Sequence, residues 1–110
     1  MEEKTIEDKD IKAEILKCLN EMGTNVKNIL LFGSRATGKY DKYSDWDFLI
    51  VVKENMTLTR KREVAHKIRK RLAEFYMPCD VLVRSEKEVE ERKNVIGSII
   101  KSVIKESVPL

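Results

Sequence analysis

Three acidic side chains carry the first hint of chemistry. Asp45 and Asp47 stand two apart in "SDWDFLIVV", where a polar stretch turns into an apolar run. Side chains alternate faces along a β-strand, so both carboxylates are expected on one face, about 6.5 Å apart along the chain, with Trp46 directed to the other. Two like charges on one face repel unless a cation lies between them. Mg²⁺ is held by one or two carboxylates completed by phosphate oxygens, which makes it the economical occupant. The competing reading is a solvated strand end that merely tolerates Asp. Asp80 opens a later apolar run, "CDVLV". If the two runs pair side by side, Asp80 can face the same site; otherwise it is a turn residue after Pro78.

A second stretch bears on phosphate binding. "LLFGSRATGKY" follows an apolar run and reads G-x-x-x-x-G-K from Gly33 to Lys39. In a Walker A loop the next residue is a Ser or Thr that holds the metal, and the turn leads straight into a long helix. Here Tyr40 takes that place, and "KYDKYSDWDFLIVV" runs through a loop into a strand. The Walker A reading is set aside. What remains is a different phosphate-binding turn or an ordinary one rich in Gly, Ser and Lys.

The elements that must hold these residues follow from periodicity. Ile11, Ile15, Leu16, Leu19 and Met22 recur at helical spacing, behind a near capping-box pair at Thr5 and Asp8, and Gly23 ends the helix. "VKNILLF" reads as a first strand and "DFLIVV" as a second, apolar on both faces and so central. "TRKREVAHKIRKRLAEFY" is a long helix with Val64, Ala65, Ile68, Leu72 and Phe75 on one face. Pro78 precedes the third strand, "DVLVR". Ser85 and Glu88 form a capping box opening an acidic helix to about Lys93, and Gly97 separates it from a last helix with Ile99, Ile100, Val103 and Ile104 on its apolar face. The expected fold is α/β: a small mixed sheet of about three strands covered by helices, in one domain over residues 1–110.

Composition narrows the class. Charged residues at 37% and hydrophobic ones at 42% fit a soluble globular chain. A net charge of +3 is too weak to argue nucleic-acid binding by itself. No apolar run approaches the roughly 18 residues of a membrane span, and the acidic N-terminus lacks the apolar core of a signal peptide. Cys18 and Cys79 show no metal-ligand spacing and are read as reduced thiols in a cytoplasmic protein. His66 falls on the polar side of its helix. Tyr40 and Tyr43 either stack on a base or cover the sheet edge. Lys39 and Lys42 either lend positive potential to a nucleotide or are solvated. The basic run from Arg60 is a solvated face, an acidic partner's contact or an RNA contact.

Together "GSRATG", "SDWD" and "DVLV" resemble the nucleotidyltransferase superfamily of the DNA polymerase beta type, and most closely its minimal nucleotidyltransferase branch, small domains often found as antitoxins beside HEPN toxins. The resemblance runs from about Val26 to Val83, and the tail "GSIIKSVIKESV" resembles that branch's final helix. Thr37 departs from the pattern, since many members have Arg there. The resemblance implies a polymerase beta-like fold and transfer of a nucleoside monophosphate, AMP from ATP or another nucleoside triphosphate, onto a hydroxyl of a partner toxin. It implies that Asp45, Asp47 and Asp80 hold two Mg²⁺ ions and that Asp80 serves the acceptor side. It places Gly33, Ser34, Arg35 and Ser44 at the nucleotide, although Arg35 is equally readable as a structural residue. The alternative is an antitoxin-like module that has lost its chemistry and neutralises its partner by contact.

Overall fold

A strand apolar on both faces needs cover on both faces, and the run Phe48–Val52 is buried throughout. The computed structural model, which describes residues 8–110, supplies that cover. Its elements in order are α1 (Asp8–Glu21), β1 (Val26–Phe32), α2 (Ser34–Thr37), β2 (Trp46–Val52), α3 (Leu58–Ala73), β3 (Cys79–Ser85), α4 (Glu86–Arg92), α5 (Ile99–Glu106) and β4 (Val108–Pro109). The sheet order is β3-β2-β1-β4. β2 pairs parallel to β3 and antiparallel to β1, and β4 pairs antiparallel to β1. The second strand is therefore central, as its composition implies.

One face of the sheet packs on α1 and α3. Ile11, Ile15, Cys18 and Leu19 of α1 meet Val64, Ile68 and Leu72 of α3 over Phe48, Ile50, Val81 and Val83. Cys18 belongs to this face, whereas Leu16 is about a third exposed. On the other face Ile100 and Val103 of α5 close over Leu49 and Val51. His66 is exposed, and both cysteines are free thiols. The Ser85–Glu88 capping box forms with both hydrogen bonds in place. Thr5 lies outside the described residues, so the start of α1 is given only from Asp8. No helix among the described residues is long and apolar enough to cross a membrane.

The sheet has four strands rather than about three. β4 is two residues long and contains a proline, which carries no strand signal. It exists because α5 delivers the chain to the free edge of β1, where Val108 and Pro109 pair with Leu31 and Leu30 and the Leu110 amide donates to the Ile29 carbonyl at 3.0 Å.

Candidate active site

Strand direction gathers the acidic residues. Because β1 runs antiparallel to β2 and β3 parallel to it, the end of β1 and the starts of β2 and β3 meet at one end of the sheet. Phe32 is paired with Asp47, and Asp47 with Asp80. Registered neighbours share a face, so Asp80 lies beside Asp47 on the side that carries Leu49 and Val51, the side covered by α5. Trp46 packs into the opposite cluster with Phe48, as the alternation predicts. Asp45 precedes the strand and is exposed, Asp80 is exposed at its start, and Asp47 is half-buried between them.

That position is electrostatically unfavourable for a bare carboxylate. Burial pushes the Asp47 pKa above its ordinary value, and the charges of Asp80, Asp45 and Glu106 push the same way. The donor set is hard oxygen of one charge sign, which fits a hard divalent cation such as Mg²⁺. Among the described residues, no three such side chains lie close enough to hold an ion as they stand. A bound polyphosphate would complete the ligand set, the usual way Mg²⁺ is held.

The Gly33 turn abuts Asp47. Gly33 has φ 74° and ψ −159°, and a Cβ there would lie 2.2 Å from Asp47 Oδ2. Only glycine allows the turn to approach so closely. The turn leads into the four residues of α2, whose Ala36 and Thr37 amides bond back to the Gly33 carbonyl. The Thr37 hydroxyl bonds back to the carbonyls of Gly33 and Ser34. Arg35 is turned toward its own loop. Its Nε donates to the Ser44 carbonyl at 3.1 Å and its Nη2 to the Asp41 carbonyl at 3.3 Å. Its guanidinium lies over Tyr40 and Trp46, 4.7 and 4.3 Å from the ring centroids. Arg35 thus clamps the loop that delivers Asp45, in keeping with the structural alternative for this residue. Ser44 closes a turn in that loop, its hydroxyl accepting from the Asp41 amide at 3.1 Å. Tyr40 has one face taken by Arg35, and Tyr43 is exposed with the Lys42 ammonium 5.0 Å from its ring centroid.

Glu106 is the site residue that sequence reasoning missed. The Gly33 amide donates to Glu106 Oε1 at 3.1 Å. A lone Glu at the end of an amphipathic helix carries no motif, and only the packing of α5 brings it here. The basic run of α3 is largely engaged within the chain. Arg60 donates to the Met22 carbonyl, Lys61 pairs with Glu88, Lys67 with Glu21 and Arg71 with Glu14. A cleft of about 390 Å³ lined by Arg84, Glu88, Arg92 and Ile99 lies apart from Asp45, Asp47 and Asp80, none of which lines it.

A glycine turn pressed against a strand-end carboxylate, with a second carboxylate registered beside it, is the arrangement that the resemblance to the nucleotidyltransferases leads one to expect. The chain belongs to the nucleotidyltransferase domain family, whose sequence profile matches residues 12–107. It is 37% identical over 75 residues to a protein of Methanocaldococcus jannaschii named "Putative protein adenylyltransferase", covering 68% of this chain and 69% of that one. Among solved structures it is similar to a nucleotidyltransferase-type protein from Sulfolobus solfataricus, with a TM-score of 0.60 and 23% identity, over 91% of this chain and 76% of that one. It also matches a chain in the complex of a tri-AMPylated Shewanella oneidensis HEPN toxin with an MNT antitoxin, with a TM-score of 0.53 and 17% identity, over 92% and 69% of the two chains. At those identities the two structures bear on the fold, which is that of the minimal nucleotidyltransferases.

Proposed function

We propose that this chain transfers AMP from ATP onto a hydroxyl of a partner protein, most simply a tyrosine, and acts as the antitoxin of a HEPN-type toxin. The reading rests on Asp47, which is pressed against Gly33 and stands in register with Asp80. The adenylyltransferase name of the archaeal relative and the AMPylated toxin in the Shewanella complex support the choice of AMP and of a protein acceptor.

The chemistry asks specific things of this chain. In this reading the backbone amides of Gly33 and Ser34, in the turn against Asp47, would meet the β and γ phosphates. Asp45, Asp47 and Asp80 would hold Mg²⁺, two ions in this reading, which when bound neutralises phosphate charge and acidifies the attacking hydroxyl. The acceptor oxygen bonds to the α-phosphorus, the α–β anhydride bond breaks, and pyrophosphate leaves with the electron pair. Asp80, exposed beside Asp47, would receive the hydroxyl proton in this reading. Arg35 keeps the loop before β2 in register, so that Asp45 and Asp47 meet the nucleotide together. Most of the rate enhancement then comes from positioning and charge complementarity.

The test is co-expression with the product of the neighbouring gene, followed by intact mass measurement of that partner. The reading expects an added AMP that is lost with Asp47→Asn. Asp80→Asn should retain nucleotide affinity and abolish transfer. If Asp47→Asn neutralises the partner as well as wild type and no mass is added, the contact-only antitoxin is correct. That second reading draws on the exposed Ile96, before α5, and Ile99, its first residue, 89% and 59% accessible.

A further inference from the structure

The turn at Gly33 presses on the Asp47 side chain, and the Gly33 amide already has an acceptor. Glu106 Oε1 receives its hydrogen bond at 3.1 Å. The carboxylate arrives there for reasons of packing. Ile100 and Val103 seat α5 on Leu49 and Val51, and the helix ends at Glu106 beside the carboxylate end of the sheet. Beyond it the Ser107 hydroxyl bonds back to the Ile104 carbonyl at 3.0 Å, and β4 fastens the chain to β1. The backbone of Glu106 is thus held on both sides, while its side chain is exposed and free to change rotamer. An anionic oxygen on a backbone amide next to three aspartates imitates one phosphate oxygen and adds a negative charge where a triphosphate must approach.

We propose that Glu106 is an affinity-setting residue of this site: its carboxylate occupies the Gly33 amide in the nucleotide-free protein and must swing away before a nucleoside triphosphate engages that amide. The proposal rests on the nucleotidyl-transfer reading above and adds a residue that the acidic motif does not contain. The motion needed is a rotamer change of one surface side chain, with no rearrangement of α5 or β4. Ligand binding therefore forfeits a single charge-assisted hydrogen bond, regained when the site empties. The carboxylate also has a structural effect in the empty protein, tying the end of α5 to the turn after β1.

The experiment measures binding of a non-hydrolysable ATP analogue with Mg²⁺ to wild type, Glu106→Gln and Glu106→Ala. Calorimetry serves, as does the fluorescence of Trp46, the chain's only tryptophan, which adjoins Asp47. Glu106→Ala should bind the analogue more tightly by roughly tenfold or more, the worth of one charge-assisted hydrogen bond, and Glu106→Gln, which keeps a neutral one, more tightly than wild type by a smaller factor. Without nucleotide Glu106→Ala should melt at or slightly below wild type, because a contact present only in the empty protein is gone, and Glu106→Gln, whose amide oxygen can still accept from Gly33, closer to wild type. A purely structural role would lower the melting point and leave affinity unchanged, and that result overturns the proposal. Weaker binding by the variants also overturns it, since Glu106 would then be helping to hold the ligand. If wild type and both variants fail to bind the analogue, the nucleotidyl-transfer reading fails and the inference falls with it. Equal binding by all three sinks the inference alone.

Discussion

Gly33→Ala tests the geometry of the site more directly than removal of a carboxylate does. The backbone at Gly33, φ 74° and ψ −159°, lies in a region nearly confined to glycine. A side chain there costs about 1–3 kcal/mol. The new methyl would also lie 2.2 Å from Asp47 Oδ2 and 3.0 Å from its Cγ. Ordinary van der Waals separation requires the carboxylate to withdraw by about 1 Å, which forces Asp47 from its rotamer at a further ~0.5–1.5 kcal/mol. The sum is about 2–4 kcal/mol, or on the order of 10 °C in Tm for a domain of this size. Urea unfolding followed by Trp46 fluorescence measures it. A double-mutant cycle isolates the contact. Asp47→Ala removes Oδ2 and Cγ and leaves only the Cβ, 3.3 Å from the introduced methyl. In that background Gly33→Ala should cost about 1 kcal/mol less than in wild type. Equal cost in both backgrounds would refute the claim that Asp47 is what excludes a side chain at Gly33. Wild-type stability of the single variant would refute the backbone argument as well.

The folded protein holds the Asp47 pKa above its ordinary 3.8, so its contribution to stability falls as pH rises through that window and stays lost above it. Asp47→Asn should therefore melt higher than wild type at pH 7 without nucleotide, an advantage that shrinks as the pH is lowered toward 3.8; a lower melting point would mean that repulsion is not what dominates there. Burial pushes the Cys79 thiol up to about 11, which leaves roughly a thousandth of it as thiolate at pH 8. Labelling by a thiol reagent at that pH should be far slower in the native protein than in urea, and equal rates would contradict the packing around Cys79. Tyr76 follows α3 with φ 59°, a left-handed conformation unfavourable for a residue with a Cβ, and its side chain is 69% exposed. Tyr76→Gly should raise stability by about 0.5–1 kcal/mol in urea unfolding, and a loss would reveal a tyrosine contact worth more than the strain.

Local patterns in the chain were enough to determine most elements. The run Val26–Phe32 forms β1 over that span, the apolar positions of α3 mark its buried face, and the Ser85–Glu88 spacing forms the cap of α4, because each depends on residues within a turn or two of one another. The alternation around Trp46 likewise placed Asp47 on one face and Trp46 on the other. Tertiary structure decided what depends on distant partners. That Asp80 shares the face of Asp47 required β3 to lie parallel to β2 in one register, and a slip of one residue would have turned Asp80 away. Arg35 was open to two readings until the loop folded back to offer it two carbonyls and two rings. β4 and Glu106 had no signal in the sequence. A Val-Pro pair and a single glutamate acquire their places only because α5 buries Ile100 and Val103 against the sheet and carries the chain back to Gly33 and the free edge of β1.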